Sequence, residues 1–308
     1  MGRKHRGKPI HGWVIIDKPE GLSSSAVVGR VRRLTGAAKV GHGGTLDPLA
    51  TGVLPMALGE ATKTVPYLVD GAKAYRFTVR WGEARNTDDA EGKIVATSDV
   101  RPTEKRIRAV LDAFTGDIEQ VPPAFSAVKV KGRRAYELAR ADKPPALKPR
   151  TVRIFDLRLL KVPDRDHATF EAVSGKGAYM RSLGRDLGVV LGTVGHVSSL
   201  RRTAVGPFHE NQAISLDKLE ALGHSAPLSE HLLPVETVLD DIPALALTET
   251  EARRLRHGQA IPVLPVASRT PLENIAQGDV VRAMAEGKLV ALAKIRGGEI
   301  RPFRVINL

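Results

Sequence analysis

The sequence contains no cysteine. That excludes disulfide bonds, thiolate zinc sites and cysteine nucleophiles, and it suits a reducing, cytoplasmic setting. No apolar run approaches the roughly 20 residues of a membrane-spanning helix, and the N-terminus shows no apolar signal-peptide core, so no membrane association is expected. Two phosphate-binding signatures are missing as well. No G-K-[ST] follows the glycines at 43 and 44, and no G-x-G-x-x-G opens a helix, which leaves no motif for ATP or nicotinamide. Acidic residues are in short supply, 34 against 47 lysines and arginines, giving a net charge of +13 and a pI of about 10.1. An excess of this size points to a polyanionic partner, nucleic acid above all. Three acids crowd the segment Arg85 to Lys93, RNTDDAEGK, but no histidine or further acid is patterned around them. An exposed turn is expected there rather than a metal site.

What is present is an ordinary globular balance. With 308 residues, 42% hydrophobic and 26% charged, the chain can form one large domain or a large and a small one. Its most distinctive stretch is Gly41 to Gly59, GHGGTLDPLATGVLPMALG, with five glycines, two prolines, one histidine and one acid. Such a composition suits neither a plain helix nor a plain strand. Pro48 fixes its own φ and pushes Asp47 into an extended or turn conformation. Asp47 is thus held on a stiff corner, the way a chain presents a nucleophile or base. A turn-capping carboxylate is the structural alternative.

The order G-H-G-G-T-L-D-P-L-A-T-G-V-L-P closely resembles, over about fifteen consecutive positions, the catalytic motif of the bacterial TruB family of tRNA pseudouridine synthases. Further stretches resemble the same family: I-D-K-P-E-G-L-S-S from Ile16, G-D-I-E-Q-V-P-P-A-F-S-A-V-K-V-K-G-R-R-A-Y-E-L-A-R from Gly116, S-G-K-G-A-Y-M-R-S-L-G-R-D-L-G from Ser174, and G-H-V-S-S-L-R-R-T-A-V-G-P-F from Gly195. The resemblance implies an isomerase acting on the uridine at position 55 in the T loop of tRNA, by base flipping and an essential aspartate, with no cofactor and no metal. It assigns Asp47 as the catalytic carboxylate and Arg181 as its partner. Tyr75 would stack on the uracil, Tyr179 line the same pocket, Leu200 supply an apolar wall, and His42 fill the vacancy left by the flipped base. Lys18, Pro19 and Gly44 would support the loop. RNA contacts would fall to Lys129, Lys131, Arg133 and Arg134, and to Arg202 beside Arg201. Whether Asp47 attacks the sugar or the base stays open. Read without the family, Tyr75 is a half-buried strand tyrosine, His42 a loop brace and Arg181 a surface charge.

The resemblance implies an α+β architecture. A pseudouridine synthase catalytic domain over residues 1–240, on a large, mixed, mainly antiparallel sheet, carries an RNA-clamping insert near 124–152. A small PUA-like β-barrel that binds RNA follows over 241–308. Local signals agree. His11–Lys18, Lys73–Trp81, Thr151–Val162 and His167–Ser174 read as strands. Ser23 to Ser25 cap a helix that Gly36 stops. Ala61–Val69 reads as a helix bent at Pro66, and Leu183, Leu187 and Leu191 line another at spacing four. His196 reads as a core or turn histidine. Thr248 with Glu251 forms a capping box before short, glycine-parted strands. A monomer with no obligate protein partner is expected, the T stem-loop of tRNA being the partner. Two other classes compete: a non-catalytic RNA-binding protein, and a metal-dependent nuclease using His42 and Asp47, which lacks further ligands at recognisable spacing.

Overall fold

A computed structural model of the protein describes residues 7–126, 128–130, 132–141, 146–225, 228–270 and 275–308. Its first strand, β1 (Gly12–Lys18, GWVIIDK), is apolar on both faces. Successive strand side chains point to opposite sides, so Val14 and Ile16 enter one core while Trp13 and Ile15 enter another. A strand of this kind has to be covered twice, and the rest of the chain covers it.

Helix α1 (Ser24–Thr35) starts at Ser23, whose side chain accepts from the Ala26 amide, and ends at the left-handed Gly36. Then come β2 (Val40–His42), β3 (Thr51–Leu58), α2 (Val65–Asp70), β4 (Lys73–Trp81), the hairpin β5 (Glu83–Arg85) and β6 (Ile94–Thr97), α3 (Glu104–Val110) and β7 (Gly116–Gln120). A small ladder of β8 (Lys129–Val130) and β9 (Arg133–Arg134) leads into α4 (Ala135–Arg140). Next are β10 (Arg150–Asp164), β11 (His167–Ser174), α5 (Met180–Val190), β12 (Gly195–Val205), β13 (Phe208–His209) and α6 (Leu216–Ser225). Among the described residues these build a nine-stranded sheet in the order β1-β3-β12-β4-β11-β10-β7, with β2 beside β3 and β13 beside β12. Its pairings are antiparallel apart from β3 with β12, so the expected mixed, mainly antiparallel sheet is present. Helices α1, α5 and α6 contribute Val27, Val31, Leu183, Leu187 and Leu219 to the core on one face.

Two local expectations are corrected. Pro66 does not bend a helix: a 3₁₀ turn at Gly59–Lys63 precedes it, and it sits in the first turn of α2, where its missing N–H is not needed. The second half of the glycine-rich stretch is a strand, β3, despite Gly52 and Pro55. One edge of β3 pairs with β12 at Thr51 and Gly52 and with β2 from Met56 to Leu58. Between those partners the Pro55 carbonyl accepts from the Gly43 amide, so proline falls where a ladder N–H is not required. Gly52, at φ 96, lies so close to the Arg202 carbonyl that a side chain has no room.

The C-terminal unit has β14 (Ala244–Ala246), α7 (Glu249–Arg256), β15 (Ile261–Pro262), α8 (Val263–Ala267), β16 (Val280–Ala285), β17 (Lys288–Arg296) and β18 (Glu299–Val305). Its curled five-stranded sheet, ordered β14-β16-β17-β18-β15, is PUA-like. The capping box of Thr248 and Glu251 forms at the start of α7. This unit has a core of its own, including Leu245, Leu255, Val281 and Ile300. It also covers the second face of the large sheet. Leu289, Leu292 and Ile306 pack in one cluster with Trp13, Ile15, Val53, Phe208 and Leu239. Polar ties run along the seam: Lys63 Nζ donates to the Val305 carbonyl at 2.8 Å, and the Asn307 amide to Glu60 Oε2 at 2.8 Å.

Candidate active site

The loop between β2 and β3 carries Asp47, and it is pinned from several sides. Ser24 Oγ accepts from the Leu46 amide at 2.8 Å and donates to the Leu46 carbonyl at 2.9 Å. The Ala50 amide donates to the Asp47 carbonyl at 3.1 Å, closing a turn through Pro48. Lys18, fully buried, donates from Nζ to the carbonyls of Pro19 (2.8 Å) and Pro48 (3.0 Å). Burial lowers the Lys18 ammonium to about 8, against the pull of nearby Asp47. Under the other side of the loop lies Arg202. Its Nε donates to the Val53 carbonyl at 2.8 Å, Nη2 to Gly44 at 3.1 Å and Nη1 to Thr45 at 3.4 Å. Gly44, at φ 124, takes a backbone conformation that L side chains rarely adopt. The loop is therefore a rigid bridge over two buried cations.

Helix α5 supplies the partner of Asp47. Arg181 Nη2 meets Asp47 Oδ2 at 2.9 Å; the arginine is 3% exposed and the aspartate side chain 34%. Arg181 also donates to the carbonyls of Thr87 (2.8 Å) and Phe125 (2.9 Å), and its Nη1 lies 3.4 Å from Asp89 Oδ2. A planar guanidinium held by this many acceptors has one orientation. The acidic segment 85–93, expected as an exposed turn, is a turn exposed at Asn86, Glu91 and Lys93 but directed inward at Asp88 and Asp89. Asp89 is 2% exposed, and its Oδ1 accepts from Thr87 Oγ1 (2.6 Å) and the Glu91 amide (3.1 Å). Asp88 pairs with Arg185 at 2.7 Å, although burial raises its carboxyl above the usual range. The segment folds inward because α5 offers it two arginines one helical turn apart.

A cleft of about 200 Å³ opens beside Asp47. Tyr75, Tyr179, Arg181 and Leu200 line it together, so residues far apart in sequence share one wall with the aspartate. Burial, and then Asp47, raise the Tyr179 phenol. Two residues that the motifs did not single out belong to the site: Asp89, behind Arg181, and Lys73, which lines the cleft. Lys73 donates to the carbonyls of Val69 and Gly71 at the end of α2, and burial lowers its ammonium to about 8. His42 stands at the edge of the loop, with Nδ1 accepting from the Gly44 amide at 3.3 Å. Burial, then Arg202, lower its basicity, so the neutral ring is favoured.

Among the expected RNA contacts, Arg133 is exposed. Lys131 lies outside the described residues, as do the side chains of Lys129 and Arg134. Arg202 is a correction: at 1% exposure it braces the Asp47 loop from inside and presents no charge to a phosphate. Strand alternation explains this, since Leu200 and Arg202 face one side of β12 and Arg201 the other. Arg201 binds both oxygens of Asp17 at 3.0 Å and Glu210 at 2.9 Å. His196 is a core histidine, its Nδ1 2.8 Å from the Glu83 carbonyl. Among the described residues, no three His, Asp or Glu side chains are grouped to hold a metal.

Comparison with known proteins shows the family of the chain. Residues 32–180 match the TruB family pseudouridylate synthase N-terminal domain, and residues 181–240 the tRNA pseudouridylate synthase B C-terminal domain. The chain is similar to the tRNA pseudouridine synthase B of Rhodospirillum rubrum, with 63% identity across the whole of both chains. It is similar to that of Caulobacter vibrioides at 53% identity, again across both chains in full. Among solved structures, a chain of the archaeal box H/ACA sRNP Nop10-Cbf5 complex matches with a TM-score of 0.72 at 25% identity, covering 99% of this chain and 92% of that one. One in a Cbf5-Nop10-Gar1 complex matches with a TM-score of 0.72 at 26% identity, covering 99% and 91%. The chain belongs to the TruB family of pseudouridylate synthases.

Proposed function

We propose that the protein is a tRNA pseudouridine synthase that isomerises the uridine at position 55 in the T loop. The observation that carries this reading is the Asp47 carboxylate, fixed on its loop by Arg181 beside a cleft walled by Tyr75, Tyr179 and Leu200. The reaction breaks the N-glycosidic bond, turns the uracil and rejoins it through carbon. Reactant and product have the same atoms, so no external oxidant or energy source is required.

In this reading Asp47 acts at the glycosidic bond, whether through the sugar or the base, and Arg181 fixes the carboxylate for that step. Tyr75 offers the uracil a flat face, with Leu200 beside it. The target base lies within a folded loop, so it must leave its stack, which costs a few kcal/mol. His42, its ring kept neutral by burial, fills the vacancy, and stacking of this kind returns about 1–3 kcal/mol per base. Lys129, Lys131, Arg133 and Arg134, in the insert near 124–152, hold the RNA backbone. Residues 1–240 are the catalytic part, and 241–308 add RNA contacts through exposed cations such as Arg301 and Arg304. The test is to incubate the purified protein with unmodified tRNA, without cofactor, and map the product. Pseudouridine at position 55 is expected; unchanged tRNA overturns the reading.

A further inference from the structure

Arg202 presents an unusual combination. It is 1% exposed, yet no carboxylate lies within ion-pair distance of it among the described residues. Its donors go to the carbonyls of Gly44, Thr45 and Val53. Withdrawing a guanidinium from water with no anion beside it is expensive. Burial accordingly makes this group less basic than a normal arginine, while Tyr75 and Asp47 oppose the shift. A leucine or methionine would fill the space at lower cost if packing were all that mattered here.

Tyr75 and Arg202 sit directly opposite each other across the antiparallel pair of β4 and β12. Cross-strand partners have their Cβ atoms about 5 Å apart, which sets the Tyr75 phenol and the Arg202 guanidinium beside each other on one face of the sheet. Both side chains line the cleft with Asp47. An arginine has donors and no acceptor, whereas a phenol oxygen can accept and also donates one proton. A hydrogen bond between the two can therefore run one way only, with Arg202 donating and Tyr75 accepting.

We propose that Arg202 is a positioning residue of the active site, acting through Tyr75. By occupying the acceptor side of the phenol oxygen it turns the phenol's own proton into the cleft, toward the ring of a bound uridine. The same guanidinium grips the carbonyls of the Asp47 loop, so it sets the loop and the tyrosine in one register. The Asp47 loop and Tyr75 thus share one buried charge as a neighbour. This inference rests on the pseudouridine synthase reading above.

A double-mutant cycle tests it, with wild type, Tyr75→Phe, Arg202→Lys and the double variant each compared in saturating excess over unmodified tRNA. Single-turnover formation of pseudouridine, tRNA affinity and the melting temperature are measured for each. Tyr75→Phe keeps the ring and removes only the oxygen; it is expected to slow turnover about tenfold or more, the loss typical of a hydrogen bond to a charged group. Arg202→Lys keeps a charge but loses the fork, and is expected to slow turnover by a similar factor with tRNA affinity within about twofold. In the Tyr75→Phe background the same Arg202→Lys change is expected to cost less than about threefold, because the contact it serves is already gone. Equal losses in both backgrounds overturn the proposal and leave Arg202 as a brace of the loop alone. Should Arg202→Lys fail to fold, Arg202→Gln, which keeps side-chain donors, takes its place in the cycle and is read in the same way. A wild-type protein that makes no pseudouridine overturns the functional reading instead, which separates the two failures.

Discussion

The larger unit and the C-terminal unit treat charge in opposite ways. Among the described residues, the larger unit buries Lys18, Lys73, Asp89, Arg181 and Arg202 at 8% exposure or less. The described residues of the C-terminal unit include no buried polar or charged side chain, and its own core is built from residues such as Leu245, Val281 and Ile300. Charge taken out of water costs several kcal/mol per ion unless it is well matched. All five buried charges surround one loop and one cleft. In the C-terminal unit Lys288, Arg296, Arg301 and Arg304 stay exposed, where each contributes little to folding and remains available to phosphate. The difference separates a region that positions atoms from one that presents a surface, and it can be broken at several points.

The largest expected effect lies at the centre of the buried charge. Asp47→Asn preserves shape and removes the carboxylate that Arg181 holds at 2.9 Å. Turnover is expected to fall at least about 10³-fold, the scale for losing a group that takes part in the chemistry, with tRNA affinity within severalfold. Appreciable pseudouridine formation by this variant would remove Asp47 from the mechanism.

The next effect tests whether the two units are separable at all. Leu292 is fully buried in the cluster that joins β17 to Trp13, Ile15 and Phe208. Leu292→Ala should cost about 2–5 kcal/mol, the range for a large-to-small core change. Because the cluster is shared, urea unfolding is expected to shift as one transition, with turnover at saturating tRNA unchanged. Two transitions, with the larger unit unmoved, would make the C-terminal unit an independent module. The shared core also bears on ending the chain near Asp240: such a protein would expose Trp13 and Phe208, and lower stability is expected along with weaker tRNA binding.

A smaller effect concerns Asp89, which meets Arg181 from the side opposite the cleft. Asp89→Asn keeps the Thr87 contact and removes the charge. Turnover is expected to fall about 10- to 100-fold through a less well fixed Arg181, equivalent to about 1.4–2.7 kcal/mol. An unchanged rate would mean that the carbonyls of Thr87 and Phe125 suffice to orient the arginine.

These residues also mark what was legible in the sequence. Strand Lys73–Trp81 and the Thr248 capping box were visible because hydrophobic alternation and cap chemistry are local. Asp47, Tyr75, Tyr179, Arg181 and Leu200 were named from family motifs, and the fold brings them to one cleft. Asp89 was not legible. A run of polar residues looks solvated until the helix that supplies its arginines is in place, and that helix comes much later in the chain. Arg202 was misread for a related reason. Two adjacent arginines look alike in sequence, but on a strand they face opposite sides, and only the sheet decides which side is buried. Strand β3 was hidden by Pro55, which is tolerated because of a gap between two partner strands, a tertiary property with no local signature.

A last expected effect, on stability and not on turnover, reads the buried charge through pH. Burial lowers the Lys18 and Lys73 ammonium groups from 10.5 to about 8. In the unfolded chain each keeps its proton up to its ordinary value. Between about pH 8 and 10 the unfolded state therefore holds more protons than the folded state, and stability rises with pH. Below that window both states are charged and the cost of burial is present in full. Tyr67 and Tyr179 act in the opposite sense at higher pH, since burial raises both phenols and the unfolded chain releases those protons first. The measurement therefore belongs below their ordinary range. Stability from urea unfolding is expected to rise across the window. Lys18→Met should remove about half of that gain, because one of the two shifted groups is gone. Lys288→Met, on the exposed surface of the C-terminal unit, should leave the gain intact. A flat wild-type profile, or an equal response to the two substitutions, would mean that water reaches the two buried lysines, and the contrast in charge between the two units would lose its energetic meaning.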